Sequence, residues 1–231
     1  MWIVLMAARH APTAETMTVT GQIEVAKTAA DVRAGCNVAV WLVPVVPPAA
    51  GADAPVAVRP GARVTQKHKT FEPRVLVVQT GSAVEFPNLD PFFHNVFSLF
   101  DGKRFDLGLY EAGTSRTVRF DRPGVCYVFC NIHPEMSAVV VVVNTPYYAL
   151  SDRAGRIAIP DVPAGRYHLQ VWHERSLPEQ LKSLAREVVI SNDLRTLGTL
   201  RVPENNRIRI AHKNKYGRDY DPPAKSVYTH P

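Results

Sequence analysis

The chain reads as all-β, built from two small β-sandwiches, and three observations predict it. Short runs rich in Val, Ile, Phe and Tyr are separated by Gly, Pro and Asp turn signals roughly every 8 to 12 residues, the spacing of sandwich and barrel strands. Only Leu177 to Arg186 carries a helical pattern, with Leu177, Leu181 and Leu184 at i, i+4 and i+7. At 231 residues the chain has room for two cores of ordinary size.

Residues 1–15 open on the apolar run WIVLMAA, which reads as a shortened secretory segment with no Lys or Arg before it. Strands follow at Val19 to Val25 and Asn37 to Pro44. The stretch from Pro44 to Gly61 is dense in Pro, Ala and Gly and reads as a long loop. Five clear strands come next: Arg74 to Gln79, Ser82 to Phe86, Arg116 to Phe120, Val125 to Cys130 and Ala138 to Val143. Turns fall at Thr80-Gly81, Asp101-Gly102 and Arg122-Pro123-Gly124. Beyond Asn144 a new unit begins, with strands at Arg156 to Pro160 and Tyr167 to Trp172. Residues 204–231 carry six Lys or Arg and almost no apolar periodicity, so they read as a solvated basic tail or as an arm packed across the body through Tyr216 and Tyr220.

Apolar residues make up 46% and charged residues 21% of the chain, a globular balance. No stretch reaches the roughly 18 to 20 apolar residues that a membrane span requires. The formal charge of +6 favours acidic protein surfaces or anionic lipid headgroups as encounter partners. Nucleic acid is disfavoured, because the basic residues are scattered and no finger or helix-turn-helix spacing occurs. Three cysteines, Cys36, Cys126 and Cys130, are an odd number, so at least one thiol is free or a ligand.

The segment Cys130-Asn131-Ile132-His133-Pro134-Glu135-Met136 sets a thiolate, an imidazole and a thioether at C-x2-H-x2-M between two strands. A tight loop with that spacing lets the three donors converge. Copper suits such a set, since Cu(I) favours thiolate, Cu(II) favours imidazole, and a weak axial Met completes His2Cys ligation. A second imidazole is needed, and Asp90-Pro91-Phe92-Phe93-His94 supplies it where an earlier strand ends. Zinc fits less well, because it rarely takes Met.

Phe71-Glu72-Pro73, Val84-Glu85-Phe86-Pro87-Asn88, His94-Asn95-Val96 and the C-x2-H-x2-M loop, in that order, resemble the cupredoxin family of small blue copper proteins, such as amicyanin and plastocyanin. The resemblance covers about residues 64–144, within a unit spanning 62–144, and the short loop is amicyanin-like. It implies a Greek-key sandwich with one copper ion at one end. His94 and His133 would be equatorial ligands, Cys130 the thiolate and Met136 the axial ligand. It further implies that Asn95 braces the ligand loop by hydrogen bonds. His133, at the loop tip, is expected nearest solvent as the electron exit. Phe92, Phe93, Ile132 and Pro134 would ring it as a docking patch, the alternative for the two Phe being core packing. Glu135 departs from the apolar residue expected beside such a His.

Cys126 raises a rival, a binuclear copper site with two bridging thiolates. Such sites resemble C-x3-C-x3-H-x2-M, whereas only two residues separate Cys130 from His133 here. On one strand the two sulfurs' residues would also lie about 13 Å apart. Cys126 is expected as a small buried hydrophobe. Cys36 is expected to be buried or paired with Cys126. His10, His68, His168, His173, His212 and His230 show no paired arrangement of the kind a catalytic copper cluster needs. No nucleophilic triad or phosphate loop occurs either, so the chain is not expected to be an enzyme.

The segment SDRAGRIAIPDVPAGRYHLQVWH after the copper unit resembles the second half of a carboxypeptidase regulatory-like domain, a transthyretin-like sandwich. VTGQIEV and NVAVWLVP resemble its first half. Residues 16–61 and 145–203 would then form one sandwich split by the copper unit. Pairing of the Asn37 to Val43 strand distinguishes this from a single copper domain. The combination resembles proteins labelled methylamine utilisation proteins, a label that identifies no electron donor. The expected function is periplasmic electron transfer with a redox partner protein, by class a dehydrogenase or a cytochrome. Copper delivery and a non-redox binding module are the alternatives.

Overall fold

The computed structural model describes residues 15–28, 30–46, 61–99, 102–205 and 212–220. The apolar N-terminal segment, most of the Pro44 to Gly61 loop, Asp101, His10 and His230 therefore lie outside the described residues.

The fold is all-β with one short helix. In chain order the elements are β1 (Thr16–Ala26), β2 (Val32–Ala34), β3 (Ala39–Pro44), β4 (Thr65–Lys67), β5 (Thr70–Glu72), β6 (Val75–Gln79), β7 (Ala83–Pro87) and β8 (His94–Ser98). There follow β9 (Phe105–Tyr110), β10 (Ser115–Arg119), β11 (Gly124–Phe129), β12 (Ser137–Val143), β13 (Tyr148–Leu150), β14 (Arg156–Pro163) and β15 (Gly165–Trp172), and then α1 (Pro178–Leu184), β16 (Arg186–Ile190) and β17 (Thr196–Pro203). The five strands read most clearly from sequence appear as β6, β7, β10, β11 and β12, shifted by a residue at most. The Leu177 helix is confined to seven residues.

Residues 65–143 build a five-stranded sheet, β6-β12-β11-β8-β9, faced by the pair β10-β7, with β4 and β5 as a small hairpin. The strands from the two flanks of the chain build two further sheets. One is β13-β3-β15-β16 and the other is β14-β1-β17, with β2 added to β1. Strand β3 pairs with β13 and β15 and, among the described residues, with no strand of the 65–143 region.

Side-chain alternation along each strand explains why the sheets stack. In β12 one face supplies Ala138, Val140 and Val142 to the core shared with Val84, Phe86, Phe120, Cys126 and Val128. The other face supplies Val139, Val141 and Val143 to a second cluster with Val75, Val77, Ala39, Tyr148 and Trp172. A strand buried on both faces reads as an unbroken apolar run, which is what the Val-rich sequence from Ala138 shows. Strand β3 behaves alike: Val40 and Leu42 enter a third core with Ile23, Ile159, Leu169 and Leu200, while Ala39 turns to the β12 cluster. The central sheets are thus packed face to face through small and β-branched side chains, and the sheet that contains β8 and β11 is braced from behind.

The same sheet brings the site together. Antiparallel pairing of Phe129 on β11 with Phe97 on β8 puts the start of β8 beside the end of β11, so His94 and Cys130 meet at one edge. Because Val141 faces the second cluster and not water, Val141→Asp is expected to cost at least about 3 kcal/mol, as Val140→Asp does, since each buries an unpaired carboxylate. Urea denaturation measures both. A solvent-facing Val141 would instead tolerate the change.

Candidate metal centre

His94 opens β8, where the end of a strand was expected, and Cys130 follows β11 directly, so the flanking strands hold both backbones. His133 sits in the turn that leads to β12, closed by Met136 N–H to His133 O at 3.0 Å and Cys130 N–H to Met136 O at 3.2 Å. Cys130 Sγ lies 3.8 Å from His94 Nδ1 and 3.6 Å from His133 Nδ1. All three donor atoms fall within 4.8 Å of one another. A metal at about 2.0 to 2.3 Å from each donor, with angles near 110 to 120°, needs S···N edges of roughly 3.6 to 3.8 Å. The two S···N spacings therefore suit an ion shared by Cys130 and either imidazole. His94, Cys130 and Met136 are fully buried, and His133 is half-buried, as its place at the loop tip implies. Met136 packs in the same core cluster as Cys130.

Asp90 determines which nitrogen of His94 faces the sulfur. Its Oδ2 lies 2.8 Å from His94 Nε2, and an ionised carboxylate only accepts, so Nε2 carries the proton and Nδ1 keeps its lone pair for a metal. The carboxylate also accepts the backbone N–H groups of His68 at 2.6 Å and Lys69 at 2.9 Å. Those two residues form the turn between β4 and β5 with φ of 54° and 55°, a left-handed conformation that non-glycine residues seldom adopt. Burial alone would raise the Asp90 pKa. The Lys69 amide, the His94 ring and the His68 amide outweigh it and hold the carboxyl below its ordinary value.

Burial pushes the Cys130 thiol up, partly offset by the backbone amides of Asn95, Ile132 and His133. Burial lowers His133, helped by the positive fields of His94 and Lys69 and opposed by Glu135 and Asp90. Near neutral pH the site thus presents a neutral imidazole and a protonated thiol, and a bound cation would release the thiol proton.

Asn95 bears on Cys130 through its backbone amide and not through its side chain. Its side chain does not reach the 130–136 loop: Nδ2 donates to Asp106 Oδ1 at 2.7 Å and to Gly108 O at 2.9 Å, and Oδ1 is buried without a partner. The reason is register. Asn95 pairs with Leu109 on β9, so its side chain meets the β9 turn while its backbone amide serves the sulfur. Phe92 packs its ring 5.1 Å from that of His94 and 5.9 Å from that of His133, walling the site. Phe93, Ile132 and Pro134 are exposed. Cys36, Cys126 and Cys130 are all free thiols and Cys36 is only partly buried, so neither the expected burial of Cys36 nor a Cys36–Cys126 disulfide is realised. Cys126 is fully buried, contacts Ser98 and Lys103, and has its thiol pushed up to about 11 by burial.

Sequence reading missed Asp90, Asp106 and His212. The Asp-x3-His spacing before His94 was the available signal for the first; nothing local signals the other two. The arm reading of the tail holds for the described residues 212–220 through Tyr220, whose hydroxyl donates to Cys130 O at 2.9 Å, whereas Tyr216 is 70% exposed.

No family model and no curated protein matches the chain. Solved structures similar to part of it include a purple cupredoxin from Nitrosopumilus maritimus, at 23% identity and TM-score 0.33, covering 36% of this chain and 99% of that one. A Cu-containing nitrite reductase from Thermus scotoductus SA-01 matches at 25% identity and TM-score 0.35, over 37% of this chain and 23% of the reductase. An amicyanin variant in its Cu(I) form matches at 20% identity and TM-score 0.34, over 45% of this chain and 98% of amicyanin.

Asp90→Asn should leave one of the turn amides or the His94 Nε2–H without an acceptor. The expected cost is about 2 kcal/mol in the copper-free protein, and the affinity for metal should fall about 10- to 100-fold. The sign in pH follows from a lowered folded-state value. The Asp90 contribution is complete above the carboxyl's ordinary value and is lost as pH falls through its folded one. Denaturation of both proteins from pH 6 to pH 3 measures it: the difference should shrink with acid, and a constant difference would contradict the assignment.

Proposed function

We propose that the chain is a type 1 copper protein of cupredoxin kind that carries single electrons and has no catalytic site of its own. One observation carries the reading: a buried thiol flanked by two imidazole nitrogens at 3.8 and 3.6 Å, with the tautomer of one already imposed by Asp90. The ligands on this reading are His94 Nδ1, Cys130 Sγ and His133 Nδ1, with the Met136 sulfur as weak axial donor. Bound copper would supply a Cu(II)/Cu(I) couple. The protein's part is to keep the donors in one geometry for both states, so that little rearrangement opposes transfer.

His133 is the electron port, because it alone of the three convergent donors is partly open to solvent. Phe93, Ile132 and Pro134 around it form the face that meets a redox partner protein, a dehydrogenase or cytochrome by class. The periplasm is the compartment that this chemistry suits. On the same reading residues 62–144 are the copper domain, inserted into a regulatory-like sandwich of residues 16–61 and 145–203. Support comes from the pairing of β3 with β13 and β15 and of β1 with β14 and β17. The sandwich then backs the ligand-bearing sheet and carries no chemistry.

Loading the purified protein with Cu(II) should give an intense blue thiolate-to-copper band and narrow EPR hyperfine splitting, both absent in Cys130→Ser. Weak ligand-field bands with wide splitting would contradict the reading. Met136→Leu should retain copper and raise the reduction potential, because a sulfur donor to Cu(II) is removed. An unchanged potential would remove Met136 from the ligand set.

A further inference from the structure

The ligand loop is closed by few bonds of its own. From Cys130 to Met136 its internal backbone bonds are the two that join Cys130 to Met136 and Met136 to His133. Three further polar groups of the loop, the carbonyls of Cys130 and Pro134 and the side-chain oxygen of Asn131, take donors from residues 212–220. Tyr220 O–H donates to Cys130 O at 2.9 Å, His212 Nε2–H to Pro134 O at 2.9 Å, and Lys215 N–H to Asn131 Oδ1 at 2.9 Å. The His212 ring stacks on Phe129, the residue before the thiol, with centroids 3.8 Å apart at 21°. Tyr220 and His212 also contact each other, the phenol oxygen 3.1 Å from Nδ1.

The segment is a built turn and not a draped strand. Asn214 Oδ1 accepts the N–H groups of Tyr216 and Arg218, both at 3.0 Å, and Asn214 N–H donates to Arg218 O at 2.8 Å. Gly217 supplies the φ of 73° that the reversal requires. From this turn Lys215 Nζ reaches Asp106 Oδ2 at 2.8 Å, and Asp106 Oδ1 holds the Asn95 side chain at 2.7 Å. The Asn95 amide in turn faces the Cys130 sulfur. The segment thus bears on Cys130 from two sides, through its carbonyl and through the Lys215–Asp106–Asn95 chain.

We propose that residues 212–220 are a working part of the copper site, a strap whose positioning residues Tyr220, His212 and Lys215 hold the ligand loop in metal-binding shape. The inference rests on the copper reading for its effect on the metal, while its effect on the loop does not depend on copper. The strap also shares a cleft with Asn131, Ile132 and Pro134 of the loop.

The test compares the full chain with Tyr220→Phe, His212→Phe and a chain ending at Asn205. In the copper-free proteins, hydrogen exchange of the amides from Asn131 to Met136 should speed up in all three variants while the amides of β1, β3 and β15 keep their protection. In the copper-loaded proteins, release of copper to a chelator should quicken about fivefold for Tyr220→Phe, as expected for one lost hydrogen bond. It should quicken more on truncation, and the EPR hyperfine splitting and reduction potential should shift. Loop exchange, release rate and potential that all match the full chain would overturn the proposal. If the full chain forms no blue site, the copper reading fails, and loop exchange alone still decides whether the strap holds the loop.

Discussion

A thiol wholly withdrawn from water, with two imidazole nitrogens closer than 4 Å to its sulfur, is held there by the surrounding fold. Burial resists ionisation of Cys130 and protonation of His133 together. In the resulting neutral pair, desolvation costs little until a cation arrives, and then the same low dielectric strengthens every donor bond. Three devices maintain the arrangement. Strand pairing between β8 and β11 brings His94 to Cys130, Asp90 fixes the His94 ring, and the 212–220 strap fastens the carbonyl side of the loop.

The stacking of the sheets has a consequence for this centre. A ligand-bearing sheet with one face open to water could twist and shift its edges. Here β12 is buried on both faces, by the core that contains Cys130 and Met136 on one side and by Trp172, Tyr148 and Ala39 on the other. Arg74 adds a polar link at the same junction, donating to Ser137 O just after the ligand loop and pairing with Glu174 at 2.5 Å. The sheets behind β12 therefore limit motion of the strands that flank His94 and Cys130.

Much of this was legible in the chain because it is local. The alternating and continuous apolar runs located β6, β7, β10, β11 and β12 within a residue, though the short or mixed strands such as β4, β5, β8 and β9 went unread, and C-x2-H-x2-M with an upstream His gave the three side chains that converge. What escaped depends on contacts between distant segments. Asp90 acts through a His68–Lys69 turn that no hairpin propensity would have chosen, because neither residue is Asn or Gly. Asn95 turned toward Asp106 because β-strand alternation, set by its pairing with β9, left only its backbone for the sulfur. His212 lies 78 residues beyond the carbonyl to which it donates, and a basic tail with little periodicity carries no local sign of that contact.

The most direct test of the account is copper-edge X-ray absorption of the loaded protein in both oxidation states. One sulfur and two nitrogen scatterers at bonding distance, scarcely displaced on reduction, are the result that the His94, Cys130 and His133 geometry predicts. Two close sulfurs would bring Cys126 or Met136 into strong ligation, and a shell of nitrogen and oxygen alone would mean that Cys130 does not hold the metal; either would contradict it.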